Sequence, residues 1–169
     1  MKLPRFVAPL LVVAGLAVAG VLAYNSLAVR PPAPAVDYVL LDGSKHQSAQ
    51  WQGKVVLVNF WATSCATCVQ EMPEIVATHE KYKARGFDTV AVAMSYDPPA
   101  YVARFAESRK LPFGVAIDNT GEIAKRFGEI RLTPTTVLID KRGNIVKRYV
   151  GAPDFPQLHA LVEKLLAES

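Results

Sequence analysis

The chain has two cysteines, and they stand three positions apart, as Cys65-Ala66-Thr67-Cys68. Directly before them runs Val55-Val56-Leu57-Val58-Asn59-Phe60, a nearly continuous apolar stretch of the kind expected for a buried central strand. Directly after them the apolar positions take up helical spacing, with Val69, Met72, Ile75 and Val76 on one face. The pair therefore sits where a buried strand hands over to a helix. A Cys in the first turn of a helix meets unpaired backbone N–H groups and the positive end of the helix dipole, which favour a thiolate. A second Cys one turn on can attack a mixed disulfide formed by the first, which is the geometry of thiol–disulfide exchange.

Two other uses of a cysteine pair fit less well. A C-x-x-C bridge closes a very small loop, removes little entropy from the unfolded chain and makes a poor staple. A zinc site needs four ligands, and no second Cys or His pair stands at a suitable spacing. No metal or cofactor beyond the cysteine pair is expected. His46, His79 and His159 read as surface or packing residues.

Charge says little once position is considered. The net charge is +4, but Lys2, Arg5 and Arg30 flank an apolar N-terminal segment. Residues 31–169 then carry 16 basic against 15 acidic side chains. With no basic stripe or aromatic-interleaved patch, nucleic acid is not an expected partner. Residues 6–29 contain no charged side chain, enough to cross a bilayer core, and Lys2 and Arg5 would keep the N-terminus in the cytoplasm. We read residues 1–29 as a transmembrane signal-anchor. A cleaved signal peptide with Val21-Leu22-Ala23 at its processing site is the alternative, although its apolar region would be unusually long. Either reading exports the remainder.

Residues 30–35, Arg30-Pro31-Pro32-Ala33-Pro34-Ala35, read as a stiff extended tether, and the folded domain is expected over 36–169. Within it, strands are predicted at 36–41, 55–60, 87–94 and 113–117, with Asp42-Gly43 as a hairpin turn. A helix is predicted over 65–85, stopped by Gly86 and carrying Pro73 in its interior. Asp97-Pro98-Pro99 reads as a cap followed by prolines opening a second helix, which Pro112 ends. A short helix follows at 121–127. Strands 135–139 and 145–150 form a hairpin, and Asp154 caps a last helix with Leu158, Leu161, Val162, Leu165 and Leu166 on its apolar face. Alternating elements of this kind imply an α/β fold with a central mixed sheet flanked by helices.

Strand, C-x-x-C helix, Thr133-Pro134 and a closing hairpin plus helix together resemble the thioredoxin superfamily. The stretch Gly53-Lys54-Val55-Val56-Leu57-Val58-Asn59-Phe60-Trp61-Ala62-Thr63-Ser64-Cys65, with Glu71-Met72-Pro73 beyond it, is similar to the TlpA/ResA group of membrane-anchored, extracytoplasmic thiol–disulfide oxidoreductases, which includes cytochrome c maturation thioredoxins. The resemblance implies a thioredoxin-like fold with an N-terminal β-hairpin and a βα insertion. It makes Cys65 the attacking thiol and Cys68 the resolving thiol, and it matches Thr133-Pro134 to a cis-proline site where a substrate strand pairs. Glu71 matches a glutamate that could move protons to or from Cys68 if partly buried. Trp61 is expected as a half-buried platform beside the site. Three departures stand out: Asn59 replaces the buried aspartate of thioredoxin, Ser64 replaces a common tryptophan, and Ala66-Thr67 lacks the common proline.

The expected function is reduction of disulfides in exported proteins, including haem-site cysteines of apocytochromes c. The resemblance implies a membrane electron donor of the DsbD/CcdA kind. The expected location is a bacterial cytoplasmic (inner) membrane, single-pass, with the catalytic domain facing the periplasm or cell exterior. A disulfide-forming oxidase is the nearest alternative, but DsbA-like oxidases insert a helical domain between C-x-x-C and the cis-proline. Here Cys68 and Pro134 are only 66 positions apart. A Sco-like copper-binding assembly protein would use two thiolates and a histidine, usually with cysteines spaced by three residues. A peroxiredoxin would need a proline upstream of Thr63, which is absent.

Overall fold

A computed structural model describes residues 30–168. The segment 6–29 read as an anchor lies outside them. Among the described residues no helix is long and apolar enough to cross a membrane.

The element order is β1 (Asp37–Val39), β2 (Lys45–Gln47), β3 (Val55–Trp61), α1 (Ala66–Tyr82), β4 (Phe87–Ala93), α2 (Pro99–Ser108), β5 (Gly114–Ile117), α3 (Glu122–Arg126), β6 (Thr135–Ile139), β7 (Ile145–Val150) and α4 (Phe155–Ala167). Single 3₁₀ turns cover Ser48–Trp51 and Lys83–Arg85. The main sheet has the order β5-β4-β3-β6-β7. β3 pairs parallel with β4 and antiparallel with β6, so the sheet is mixed about its central strand. The β1–β2 hairpin joins the β5 edge through a Leu40–Ala116 bridge and a Leu41 N–H donation to the Val115 carbonyl at 2.9 Å. β5 and α3 form the βα pair between α2 and β6.

The alternation of β3 divides the core. Val55, Leu57 and Trp61 face Met72, Ile75, Val102, Leu158, Val162 and Leu165, the buried stripes of α1, α2 and α4. Val56, Val58 and Phe60 face Trp51, Phe127 and Ile123, under the hairpin and α3. All seven residues of β3 are buried, as the apolar run predicts for a strand covered on both faces. Asn59 falls in phase with Val55 and Leu57, so its polar side chain is delivered into the interior on the α1 side.

Helix ends are set largely as the sequence indicates. Gly86 adopts φ 87° beyond the 3₁₀ turn that ends α1, a conformation glycine reaches without strain. The Asp154 carboxylate accepts from the Gln157 N–H at 2.9 Å and caps α4. The Asp118 carboxylate accepts from the Ile123 and Ala124 N–H groups at 3.2 and 2.8 Å and holds α3 to the end of β5. α2 departs from expectation. Its N-cap position is Pro98, and Asp97 makes no cap. The proline-rich stretch lies extended against the β6–β7 turn, where the Ala33 N–H donates to the Gly143 carbonyl at 2.8 Å.

Candidate active site

Cys65 and Cys68 are joined as a disulfide with Cα atoms 5.2 Å apart. Cys65 is the N-cap residue of α1 in extended conformation (φ −90°, ψ 104°), where Ser, Thr, Asp or Asn usually stands. Its sulfur takes over the cap's duty and accepts from the Cys68 backbone N–H at 3.2 Å. A thiolate at that sulfur would meet the same donor and the positive helix end. Cys65 is half-buried, whereas Cys68 is 0% exposed. Of the two, Cys65 is the one open to solvent.

Glu71 lies three residues beyond Cys68, on the same face of α1. It is 4% exposed, with the rest of its face packed into the core. Burial raises its carboxyl to a pKa of about 7, against a lowering hydrogen bond from Asn59. The Asn59 amide donates to Glu71 Oε1 at 3.0 Å and to Thr136 Oγ1 at 3.0 Å. The register of β3 with β6 places Asn59 directly opposite Thr136, which explains the second bond. Glu71 Oε2 is buried without a hydrogen-bond partner among the described residues. The asparagine that replaces thioredoxin's aspartate thus holds a carboxyl supplied by the helix, and a titratable group near neutrality remains behind Cys68.

The Thr133–Pro134 peptide bond is cis. Because Phe60 pairs with Thr135, this bond lies level with the end of β3 from which the cysteine loop departs. Pro134 is buried and its carbonyl accepts from the Gly151 N–H at 2.8 Å, while Thr133 is half-buried. The Thr133 hydroxyl lies 3.2 Å from the Tyr96 hydroxyl.

Trp61 corrects an expectation. It is 0% exposed and its ring centroid lies 5.0 Å from that of Phe105, within the α-side core. As the seventh residue of β3 it stays in phase with Val55 and Leu57, so the pleat turns it inward. It is a packing residue and offers no surface to a substrate. The exposed aromatic surface comes instead from Tyr96 and Tyr101, after β4.

Asp97 and Thr63 belong to the site and escape the sequence reading. Asp97 is buried, and its carboxylate accepts from the Thr63 N–H at 2.6 Å and the Thr63 hydroxyl at 2.5 Å. The Pro98-Pro99 context points to a helix cap. The signal that could have found Asp97 is its place after a buried parallel strand, since open α/β sheets assemble their sites at the carboxyl ends of strands. A cavity of about 850 Å³ between the hairpin and residues 117–123 includes none of these groups. Among the described residues no three His, Cys, Asp or Glu side chains converge to hold a metal ion.

Comparison with known proteins agrees with this geometry. The Redoxin family model matches residues 28–162. Thiol-disulfide oxidoreductase ResA of Geobacillus kaustophilus is 36% identical over 101 residues, covering 59% of this chain and 56% of that protein. ResA of Bacillus thuringiensis is 39% identical over 85 residues, covering 50% of this chain and 49% of that protein. The chain thus spans about half the length of the curated relatives it matches. Among solved structures, a Neisseria meningitidis protein assigned as a thioredoxin is 40% identical, with a TM-score of 0.77 over 83% of this chain and 93% of that one. A thioredoxin-family thiol:disulfide interchange protein of Chlorobium tepidum is 30% identical, with a TM-score of 0.75 over 83% and 99%. The family match over most of the chain and the near-complete overlap with these structures place this protein in the Redoxin family, among the TlpA/ResA-like proteins of thioredoxin fold.

Proposed function

We propose that the chain reduces disulfides in exported proteins, with its catalytic domain held outside the cytoplasm by the apolar segment 6–29. The observation that carries this reading is the asymmetry of the pair: a reachable Cys65 capping a helix, and a buried Cys68 followed by a carboxyl poised near pH 7.

In the reducing direction the Cys65 thiolate attacks one sulfur of the target disulfide, and the other target sulfur leaves as a thiolate. Glu71, in its ionised form, can take the proton of Cys68. The Cys68 thiolate then attacks the Cys65 sulfur and expels the second target thiolate. The target gains two electrons and the pair leaves as the disulfide. A membrane donor of the DsbD/CcdA kind would restore the dithiol, since no glutathione pool serves that compartment. Haem-site cysteines of apocytochromes c are the target class that the family resemblance favours. A periplasm-facing, single-pass location in the cytoplasmic membrane follows from the same reading, and a C-terminal alkaline phosphatase fusion would be active only there.

The chain between Cys68 and Pro134 is taken up by the rest of α1, β4, α2, β5 and α3, which leaves no room for the extra helical domain of a DsbA-like oxidase. His159, the histidine a copper site would need, bonds instead to Thr78, 2.8 Å away and ten residues along α1 from Cys68, roughly 15 Å at helical rise.

The reduction potential of the full chain in mild detergent tests the direction. A value near that of thioredoxin, about −270 mV, is expected. A value near that of DsbA, about −120 mV, would make the protein a disulfide donor and sink the reductase reading.

A further inference from the structure

Asp97 is 2% exposed, yet both of its carboxylate oxygens are engaged by one residue, Thr63. The backbone N–H of Thr63 donates to Oδ2 and its hydroxyl donates to Oδ1. A backbone N–H at one oxygen and a hydroxyl at the other are partners of the kind that hold a carboxylate in place. Thr63 is two residues before Cys65, in the loop that carries the chain from β3 into α1, and the Cys65 N–H is itself turned back to the Ala62 carbonyl at 3.2 Å. The segment bearing Asp97 is locked to the same strand end, since the Met94 N–H donates to the Trp61 carbonyl at 3.0 Å. Its other neighbour, Tyr96, reaches the Thr133 hydroxyl beside Pro134. The turn between β4 and α2 thus touches both loops that flank the disulfide.

We propose that Asp97 is a positioning residue that clamps the Thr63 loop in front of Cys65 and, as a fixed anion there, biases the cysteine pair toward reducing potentials. This rests on the thiol–disulfide exchange reading above and adds a residue to it. The Cys68 N–H and the α1 N-terminus stabilise a Cys65 thiolate and so favour the dithiol form. A buried negative charge beside the same loop opposes them. Destabilising the thiolate destabilises the reduced protein, which makes the dithiol the better electron donor. A reductase requires that bias, and Asp97 supplies it without touching either sulfur.

The test equilibrates the full-length chain in mild detergent with reduced and oxidised glutathione at pH 7 and reads the pair by thiol trapping. The couple balances as protein disulfide plus two glutathione thiols giving protein dithiol plus glutathione disulfide. Asp97→Asn keeps the shape and an acceptor while removing the charge. We expect it to shift the equilibrium about tenfold toward the dithiol, equivalent to about 30 mV. Thr63→Ala keeps the charge but strips one of its donors, and should shift the equilibrium about threefold the other way. Thr63→Ser restores the donor and the wild-type value. An Asp97→Asn constant within twofold of wild type, or displaced toward the disulfide, overturns the proposal, as does Thr63→Ala moving in the same direction as Asp97→Asn. Should Asp97→Asn fail to fold by circular dichroism, the Thr63 variants decide alone, and no displacement in Thr63→Ala overturns it. A wild-type chain that exchanges with glutathione not at all is a separate result, which removes the oxidoreductase reading itself.

Discussion

Two carboxyl groups are buried around the cysteine pair, Glu71 behind Cys68 and Asp97 before Cys65, and the protein holds them in opposite ways. Glu71 receives one hydrogen bond, from a side-chain amide, and its second oxygen has no partner among the described residues. Asp97 receives two, one at each oxygen. Similar burial therefore comes with a different supply of hydrogen-bond donors, which is what offsets the loss of water around a polar group. The under-supplied group, Glu71, is pushed up to a pKa of about 7. The fully supplied one ties its segment to the Thr63 loop through both oxygens. The two sides of the disulfide differ in access as well: Cys65 is half-buried, while Cys68 is sealed in the core.

The largest test of this asymmetry is to remove each sulfur separately. Cys65→Ala should abolish turnover of a model disulfide substrate. Cys68→Ala should still attack and then accumulate a mixed disulfide, visible by mass spectrometry. Equal loss in both, without a trapped species, would break the division between an outer and an inner thiol.

Replacing Glu71 by Gln comes next. The carboxyl rises from an ordinary 4.5 to about 7 on folding. The folded state therefore binds the proton more tightly. Stability drawn from this group is fully present below pH 4.5 and is lost as pH rises through 7. Glu71→Gln should be more stable than wild type at pH 8 by up to roughly 3 kcal/mol, with the difference vanishing near pH 4, as urea midpoints would show. The same variant should slow resolution of the mixed disulfide and flatten its dependence on pH between 6 and 8. A pH-independent stability difference would show that Glu71 does not titrate in the fold.

Asn59→Ala sharpens the comparison by starving Glu71 further. It leaves Glu71 Oε1 without its donor, at a cost of roughly 1–3 kcal/mol at neutral pH. Since the Asn59 bond lowers the Glu71 pKa, its loss should move the titration midpoint upward, measurable by NMR of the glutamate side chain. A midpoint that stays put would mean that burial alone governs Glu71.

Tyr96→Phe should have the smallest effect. The hydroxyl it removes lies 3.2 Å from Thr133 on a side chain 58% exposed, where water replaces the bond. Thermal stability should change by less than about 1 kcal/mol, and exchange with a small disulfide by no more than about twofold. A larger loss would give the outer surface a share in catalysis comparable to that of the inner pair.

Much of this organisation is legible in the chain. The strands at 135–139 and 145–150 fall where the sequence puts a hairpin around Lys141-Arg142-Gly143-Asn144. The long helix ends at its glycine, and the cis bond at Pro134 agrees with the motif. The misreadings have one cause. Asp97 before two prolines is locally a helix cap, and Trp61 after an apolar run is locally the rim of a site. Each is decided by what the fold brings against it: a threonine 34 positions away, and a core between β3 and three helices.

The elements and the reactive pair follow from local pattern, because periodicity, glycine and proline punctuation, and the C-x-x-C spacing act over a few residues at a time. The same pattern also places Asn59 on the face of β3 that carries Val55 and Leu57. That this amide meets Glu71 and Thr136, that Trp61 is sealed, and that Asp97 turns to Thr63 are products of long-range packing. Those outcomes depend on cross-strand register and on how each helix crosses the sheet. They bring together groups remote in the chain, and the environment of a buried carboxyl is the sum of such encounters.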